Sequence, residues 1–548
     1  MRPVDYIKKP RIQHIVIGIG LLVLSFLLYR QTLGVGFLSD DWHAISIVKD
    51  TKNIFQFFAT NIVGNRVGSS YGPLWNVALF LEYHMFHLQS LGYHIISIVA
   101  MAAAAFSLYG FVRRMSGSLL IGCAAGVLFI CLPSHVEAVA WISSQPHLIA
   151  TALYSAALYC YSVFSSQKKV KYYIAACVLI ACSLLTKEIG ISFIFIFFLI
   201  DCRFQTISFK KEKYKQSLLH VLIYYLPLVV VLGGYMAVRR YTTGVVVGYY
   251  GSQSLIFSLK EMIEMATRIT VGLFASYPLR DSMVVEIMSH IRLVGTCLVA
   301  SFVGILWLCR KQMYTILVIG LCYIASLLPY LTLHYNALSN EGERYTYLPS
   351  LFGVFGIAYT LYHMLKRVRA GKILYVLVIS IISIACIFPI QGKTAEWMKA
   401  GLIVQETLPT IQNLSLDPNK PVVLVGLPDR IEGAQLFRNG TLLALELLGY
   451  GKFNGDRVLI APLLSESYSK EKKLVAIDTC GRALCMSSEE GRERLFTGLP
   501  AVEMYDMAFI LEDFRKTDHT GTRIRIEGKT TDVQMVYFNH NAFQLFAE

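Results

Sequence analysis

The chain has 548 residues, of which 55% are hydrophobic and only 16% charged, with a mean hydropathy of +0.53 and a formal net charge of +14. A soluble protein of ordinary composition carries about a quarter charged residues, so much of this chain's surface does not face water. The basic excess lies in short segments between apolar runs and not in one patch, which points away from nucleic acid and towards the lipid bilayer as partner.

Eleven runs nearly free of charge follow one another along the chain: 14–29, 91–112, 117–132, 147–164, 170–185, 189–200, 219–238, 291–309, 313–333, 348–364 and 373–390. Several reach the roughly 20 residues needed to cross a bilayer, and flanking residues extend the shorter ones. The predicted fold is an all-α polytopic membrane domain over residues 1–390. A transition segment follows over 391–420, broken by Pro409 and Pro418, and then a small α/β domain over 421–548. In that domain 422–425 and 535–538 read as strands and 441–449 as a helix. Two amphipathic surface helices are expected in the first outer connection, near 51–60 and 73–88, and a third over 255–276.

Charge orients the bundle. Lys8, Lys9 and Arg11 precede the first run, and basic residues such as Arg113, Lys169, Lys211, Arg310 and Arg367 fill every even-numbered connection. The positive-inside rule then places the N-terminus in the cytoplasm, and an odd span count places the C-terminal domain outside. Of the twelve cysteines, ten lie in or at the ends of apolar runs as small hydrophobes. Cys480 and Cys485 fall in the outer domain, where an oxidising compartment allows a disulfide between them.

The chemistry-capable residues gather in the odd-numbered connections, on the outer side. Asp40-Asp41 follows the first run; an acidic pair there can activate a hydroxyl, hold a divalent cation, or simply cap a helix. The third connection holds His135, Glu137, Trp141 and His147, whose spacing fits hydrogen-bonded edge residues better than metal ligands. Lys187-Glu188 is wedged between two runs, as an ion pair sealing a tight turn or as a lysine facing an anionic headgroup. Arg239-Arg240 opens the seventh connection. Glu343-Arg344-Tyr345 lies in the ninth, where the arginine can grip a phosphate or anchor the chain at the interface.

Taken in order, several segments resemble a known family. They are Asp40-Asp41, Tyr71-Gly72-Pro73-Leu74, Gly92-Tyr93-His94, the stretch Leu132 to Ile142, Leu185-Thr186-Lys187-Glu188, and Glu343 to Ser350. Together they resemble the GT-C glycosyltransferases, in the branch of protein O-mannosyltransferases and tetratricopeptide-bearing transmembrane mannosyltransferases. Leu427 to Gly440 is similar to the extracytoplasmic tail of bacterial members without those repeats.

The resemblance implies a GT-C type membrane domain that moves one sugar from a polyprenyl-phosphate donor to an acceptor hydroxyl, usually with inversion. For a bacterial member this places the chain in the inner membrane with its C-terminal domain in the periplasm. The acceptor is a protein, a lipid or a glycan. By position Asp41, or else Asp40, is the general base. Lys187 and Arg344, backed by Arg239 and Arg240, would bind the donor phosphate. Glu188, Glu343, His135, Glu137, His94 and Tyr345 would support the site or receive the acceptor. No cofactor and no metal are expected.

The chain departs from the family at Gly72, where members often have arginine with Arg66 the candidate replacement, and at Gln145-Pro146-His147, where an Arg-x-Asp pattern is usual. A transporter or flippase of lipid-linked sugars is the alternative. It calls for ionisable groups near the midplane and for duplicated halves, and the runs here are clean in their middles. A merely anchored binding protein needs one span, not eleven.

Overall fold

The computed structural model describes residues 11–64, 70–207, 214–246, 258–275, 286–287, 289–331, 342–417 and 420–450 apart from 426, 429 and 432, and then the separate strands up to residue 545. Arg66 lies outside the described residues. The chain forms two compact units, one made of residues 1–33 and 51–394, the other of residues 34–50 and 395–548.

The first unit is helical. Each of the eleven apolar runs holds a helix among the described residues. Among the described residues eight helices are long and apolar enough to cross a membrane, beginning with Ile12–Gly34 and ending with Gly371–Asn413. A ninth candidate is broken: Leu119–Ile130 and Pro133–Ala140 meet at 56°. Pro133 explains the break, because a proline removes a helical donor and forces the preceding residue out of the helix. Val170–Thr186 and Phe193–Arg203 are shorter. Val16, Ile19, Leu222, Val230, Val299, Val303, Ile381 and Ile384 are all more than half exposed. Apolar residues bared along whole helix faces suit a lipid solvent and mark a multi-pass membrane protein.

Small residues bring the central helices close. On Gly122 a Cβ would stand 2.9 Å from the Tyr109 carbonyl oxygen, and on Gly126 3.2 Å from that of Ala105. At the far end of Phe193–Arg203 the fully buried Asp201 ties three helices together. Its carboxylate accepts from Ser165 Oγ at 2.6 Å, Tyr161 Oη at 2.7 Å and Tyr225 Oη at 2.8 Å, and meets His220 Nε2 at 3.0 Å.

The first outer connection differs from its predicted form. Residues 51–60 hold only a 3-10 turn, Ile54–Phe58, whose start is capped by the Asn53 side chain accepting from Phe55 N. The turn is too short to offer a continuous apolar stripe, and the Asn53 cap closes it locally. Pro73–Phe86 is a helix with proline at its first position, as expected, and it buries Trp75, Asn76, Leu79 and Glu82. The predicted 255–276 helix is Leu259–Ala275. The long helix Gly371–Thr407 passes through Pro389 and runs on into residues read as a transition.

The second unit is α/β. Strand Val422–Val425 pairs in parallel with Gln534–Asn539 on one side and Val458–Ile460 on the other. Its four apolar residues lie in the middle of a four-stranded sheet, with helix Thr441–Leu447 in the crossover. A five-stranded antiparallel sheet, not foreseen from the sequence, is built around Met507–Lys516 and His519–Gly528. Cys480 faces Ala483 in the strand register and Cys485 faces Asp478. The side chains of both cysteines lie outside the described residues. The ten cysteines that are described are free thiols, buried at 131, 309 and 322 and exposed at 297.

Candidate active site

Arg344 is placed by a short turn. Gly342, at φ +89°, takes the left-handed conformation that glycine adopts without strain, and the 3-10 turn Glu343–Thr346 then leads into helix Tyr347–Leu365. Glu137, just past the bend at Pro133, holds this turn. Its carboxylate accepts from Arg344 N at 2.7 Å and from Gly342 N at 3.4 Å, and it forms an ion pair with the Arg344 guanidinium. The guanidinium carbon sits 5.2 Å from the Trp141 ring and 4.8 Å from the Tyr345 ring, and Nη2 donates to Tyr345 Oη at 3.1 Å. Planar stacking and a carboxylate together fix an arginine more firmly than either alone. Glu343 forms an ion pair with Lys393, and both side chains are at most 3% exposed.

Lys187 ends helix Val170–Thr186 and is buried. Its Nζ donates to Ser70 Oγ at 2.8 Å and lies 3.9 Å from Glu188 Oε1. Ser70 passes the contact on, donating to Glu188 Oε2 at 2.5 Å. The expected Lys187–Glu188 ion pair is therefore present with a serine bridge that the sequence did not suggest. Two residues later Gly72 crosses the end of the same helix: a Cβ there would stand 2.6 Å from the Thr186 carbonyl oxygen. The close backbone approach requires glycine and leaves no room for the arginine common in the resembled family.

Further buried polar residues lie beside Arg344. The ring centre of the buried His147 is 6.1 Å from that of Tyr345. Tyr330 packs on the other ring neighbour, 5.7 Å from Tyr345. His147 Nδ1 and Tyr330 Oη are buried without a hydrogen-bond partner among the described residues. Gln145, which opens the His147 helix, donates to the buried Glu82 carboxyl at 3.1 Å, and its own Oε1 is unpartnered. Burial, opposed by the Gln145 hydrogen bond, pushes the Glu82 carboxyl up to about 8.

The remaining candidates have local roles. Arg239 donates to the Val246 carbonyl and Arg240 to that of Gly244, closing the end of helix Tyr214–Thr243. His135 Nε2 is 3.0 Å from Ser350 Oγ, with its ring against Phe129 and Tyr347. His94 is fully buried in helix Ser90–Ser116. Among the described residues no three His, Cys, Asp or Glu side chains converge as a metal set.

The acidic pair belongs to the second unit. Ser39 takes φ +47°, and helix Asp40–Asp50 starts directly after it. Asp41, 1% exposed, accepts from Leu38 N at 2.9 Å, fixing its carboxylate to the backbone ahead of the helix. Asp40 is half-buried, and its Oδ1 accepts from Asn439 Nδ2 at 2.6 Å. Ser39 N donates to the Leu436 carbonyl at 3.1 Å, and Gly440 fits against Ser39 O with no room for a Cβ. The Phe437-Arg438-Asn439-Gly440 segment thus frames the acidic pair.

No protein-family model matches the chain. It is 29% identical to protein O-mannosyl-transferase Tmtc1 of Drosophila melanogaster over 181 residues, 32% of this chain and 21% of that protein. It is 30% identical to protein O-mannosyl-transferase F38B6.6 of Caenorhabditis elegans over 162 residues, 28% of this chain and 24% of that protein. The matched stretches span less than a quarter of those relatives' length. Among solved structures, ArnT from Cupriavidus metallidurans bound to undecaprenyl phosphate aligns at 10% identity over 82% of this chain and 90% of that one, with a TM-score of 0.45. In sequence, over about a third of its length, the chain resembles the protein O-mannosyltransferases of the transmembrane tetratricopeptide type.

Proposed function

We propose that this chain is a membrane glycosyltransferase that moves a single sugar from a polyprenyl-phosphate donor to an acceptor hydroxyl, with inversion, on the periplasmic face of a bacterial inner membrane. The observation that carries the reading is a pair of cations held at the ends of apolar helices, Arg344 on Glu137 against the Trp141 and Tyr345 rings and the buried Lys187 on Ser70, in a chain that resembles O-mannosyltransferases over about a third of its length. Two cations held by buried partners are preorganised for a group whose negative charge grows as it leaves. A guanidinium has five N–H donors, so Arg344 can keep Glu137 and still reach a phosphate oxygen.

In the reaction the acceptor oxygen bonds to the anomeric carbon as the bond from that carbon to the phosphate oxygen breaks. The acceptor proton passes to a carboxylate, Asp41 in preference to Asp40. The lipid phosphate leaves with the bonding pair, its charge met by Lys187 and Arg344, with Arg239 and Arg240 behind them. This scheme assigns no step to a metal, because the cations suffice for a monophosphate leaving group. The acceptor is a protein, lipid or glycan hydroxyl.

The test is sugar release from a panel of polyprenyl-phosphate sugars by the purified protein in detergent, with water as surrogate acceptor. Turnover of one donor that is lost in Asp41→Asn, or in Asp40→Asn, supports the reading and names the base. A folded protein that turns over none of the donors, yet moves them between leaflets of a vesicle, replaces it with a flippase.

A further inference from the structure

We infer that Lys393 is a positioning residue for Arg344, acting through Glu343. Lys393 follows Pro389 on helix Gly371–Thr407, where the sequence leaves its last apolar run. The segment around it is fastened on both sides: Gln391 Nε2 donates to Leu28 O at 3.2 Å, and Thr394 Oγ1 donates to Gln31 Oε1 at 2.7 Å. The backbone that carries Lys393 is thereby tied to the first helix and the turn after it.

The turn Glu343–Thr346 is therefore gripped through two neighbouring residues by opposite charges. Lys393 takes the Glu343 carboxylate, and Glu137 takes the Arg344 guanidinium and two backbone N–H groups. Both partners of the Lys393 pair are almost fully buried, so removing either charge leaves the other without its counter-ion in a desolvated place. If Lys393 lost its charge, Glu343 would be a buried carboxylate with no ammonium beside it. The neighbouring cation in the chain is Arg344 itself. Glu343 would then compete with Glu137 for the guanidinium and draw it off the Trp141 ring. Lys393 thus keeps Arg344 in place by occupying the carboxylate next to it.

For donor turnover this inference rests on the proposed glycosyltransferase reading; for the position of Arg344 it does not. The measurement is therefore double. Trp141 lies under the Arg344 guanidinium, and its emission is isolated from the other tryptophans by subtracting a Trp141→Phe protein in each background. Lys393→Met should shift the Trp141 emission and lower kcat for the donor about tenfold with KM changed less than about threefold. Lys393→Arg should restore both. The double variant Lys393→Met with Glu343→Gln, which carries no stray buried charge, should fold and return the Trp141 emission to the parental value. A folded Lys393→Met protein with unmoved Trp141 emission overturns the inference. So does a double variant whose emission stays displaced, and this arm decides the matter if Lys393→Met alone does not fold. A parent protein that turns over no donor defeats the glycosyltransferase reading, while the Trp141 arm still decides the role of Lys393.

Discussion

Two polar clusters of the helical unit make a useful contrast. Around Asp201 the carboxylate meets two tyrosines, a serine and a histidine, four donors for the roughly four lone-pair sites it offers. Both of its oxygens are engaged, and the cluster serves to tie three helices together. The ion pairs of Lys187 and Arg344 are somewhat more exposed, with Glu188 at 18% and Arg344 at 19%, and among the described residues His147 Nδ1 and Tyr330 Oη near Arg344 are unpartnered. A buried polar group without a partner costs stability, and a fold keeps one where something else uses it. Unspent hydrogen-bonding capacity, more than the number of charges, separates the site from the knot.

The largest expected effect breaks the contrast from the functional side. Lys187→Ala and Arg344→Ala should each lower kcat/KM for the donor by about 100-fold or more, the scale of losing a preorganised charge partner. Asp201→Asn should leave donor KM unchanged in the folded fraction. It should instead cost about 3 kcal/mol or more in unfolding free energy, as when one member of a buried ionic network is neutralised. A KM that moves with Asp201→Asn would dissolve the distinction.

The Glu82 carboxyl offers a pH test. Its folded value of about 8 lies above the ordinary 4.5, so the folded state holds a proton that the unfolded state has already lost. Its stabilising contribution is whole below about pH 4.5 and falls as pH rises towards 8, by up to about 1.4 kcal/mol per pH unit. Denaturation followed from pH 5 to 8 should show this slope in the parent and not in Glu82→Gln. Equal slopes in the two would remove the buried acid from the account.

The smallest effect is the sharpest. Tyr330→Phe removes an unpartnered hydroxyl, so stability should rise by up to about 1 kcal/mol while donor kcat/KM falls several-fold. A substitution that stabilises without loss of turnover would make Tyr330 a packing residue and weaken the contrast.

Much of the bundle was legible, because membrane spans are written in composition: a helix lies in each of the eleven apolar runs. The marked residues Lys187, Glu188, Glu137, Arg344 and Tyr345 stand out for the same reason, as charges and aromatics at the ends of apolar runs. Ser70 could not be read, since a lone serine carries no signal until the fold brings it to Lys187 from 117 positions away. Lys393, past the end of the last run, carries no signal that pairs it with Glu343 fifty positions away. Asp201, one residue from a cysteine and two from Arg203, stands where a span ends and shows nothing of its four partners. For Asp41 the sequence left a base and a helix cap open; its carboxylate accepts from Leu38 N, ahead of the helix, a contact neither reading foretold. The antiparallel sheet of the second unit escaped because strands such as Met507–Lys516 mix charges with apolar residues.

The helix Gly371–Thr407 also works as a ruler. At 1.5 Å per residue its 37 residues are about 55 Å long, against about 30 Å of hydrocarbon in a bilayer. Lys393 falls about 33 Å from its start, where the hydrocarbon gives way to headgroups. Counted from Gly371 at one edge of the hydrocarbon, the turn that Lys393 holds comes out near the other edge. On the proposed reading, a donor whose tail stays in the bilayer could then be used without leaving it.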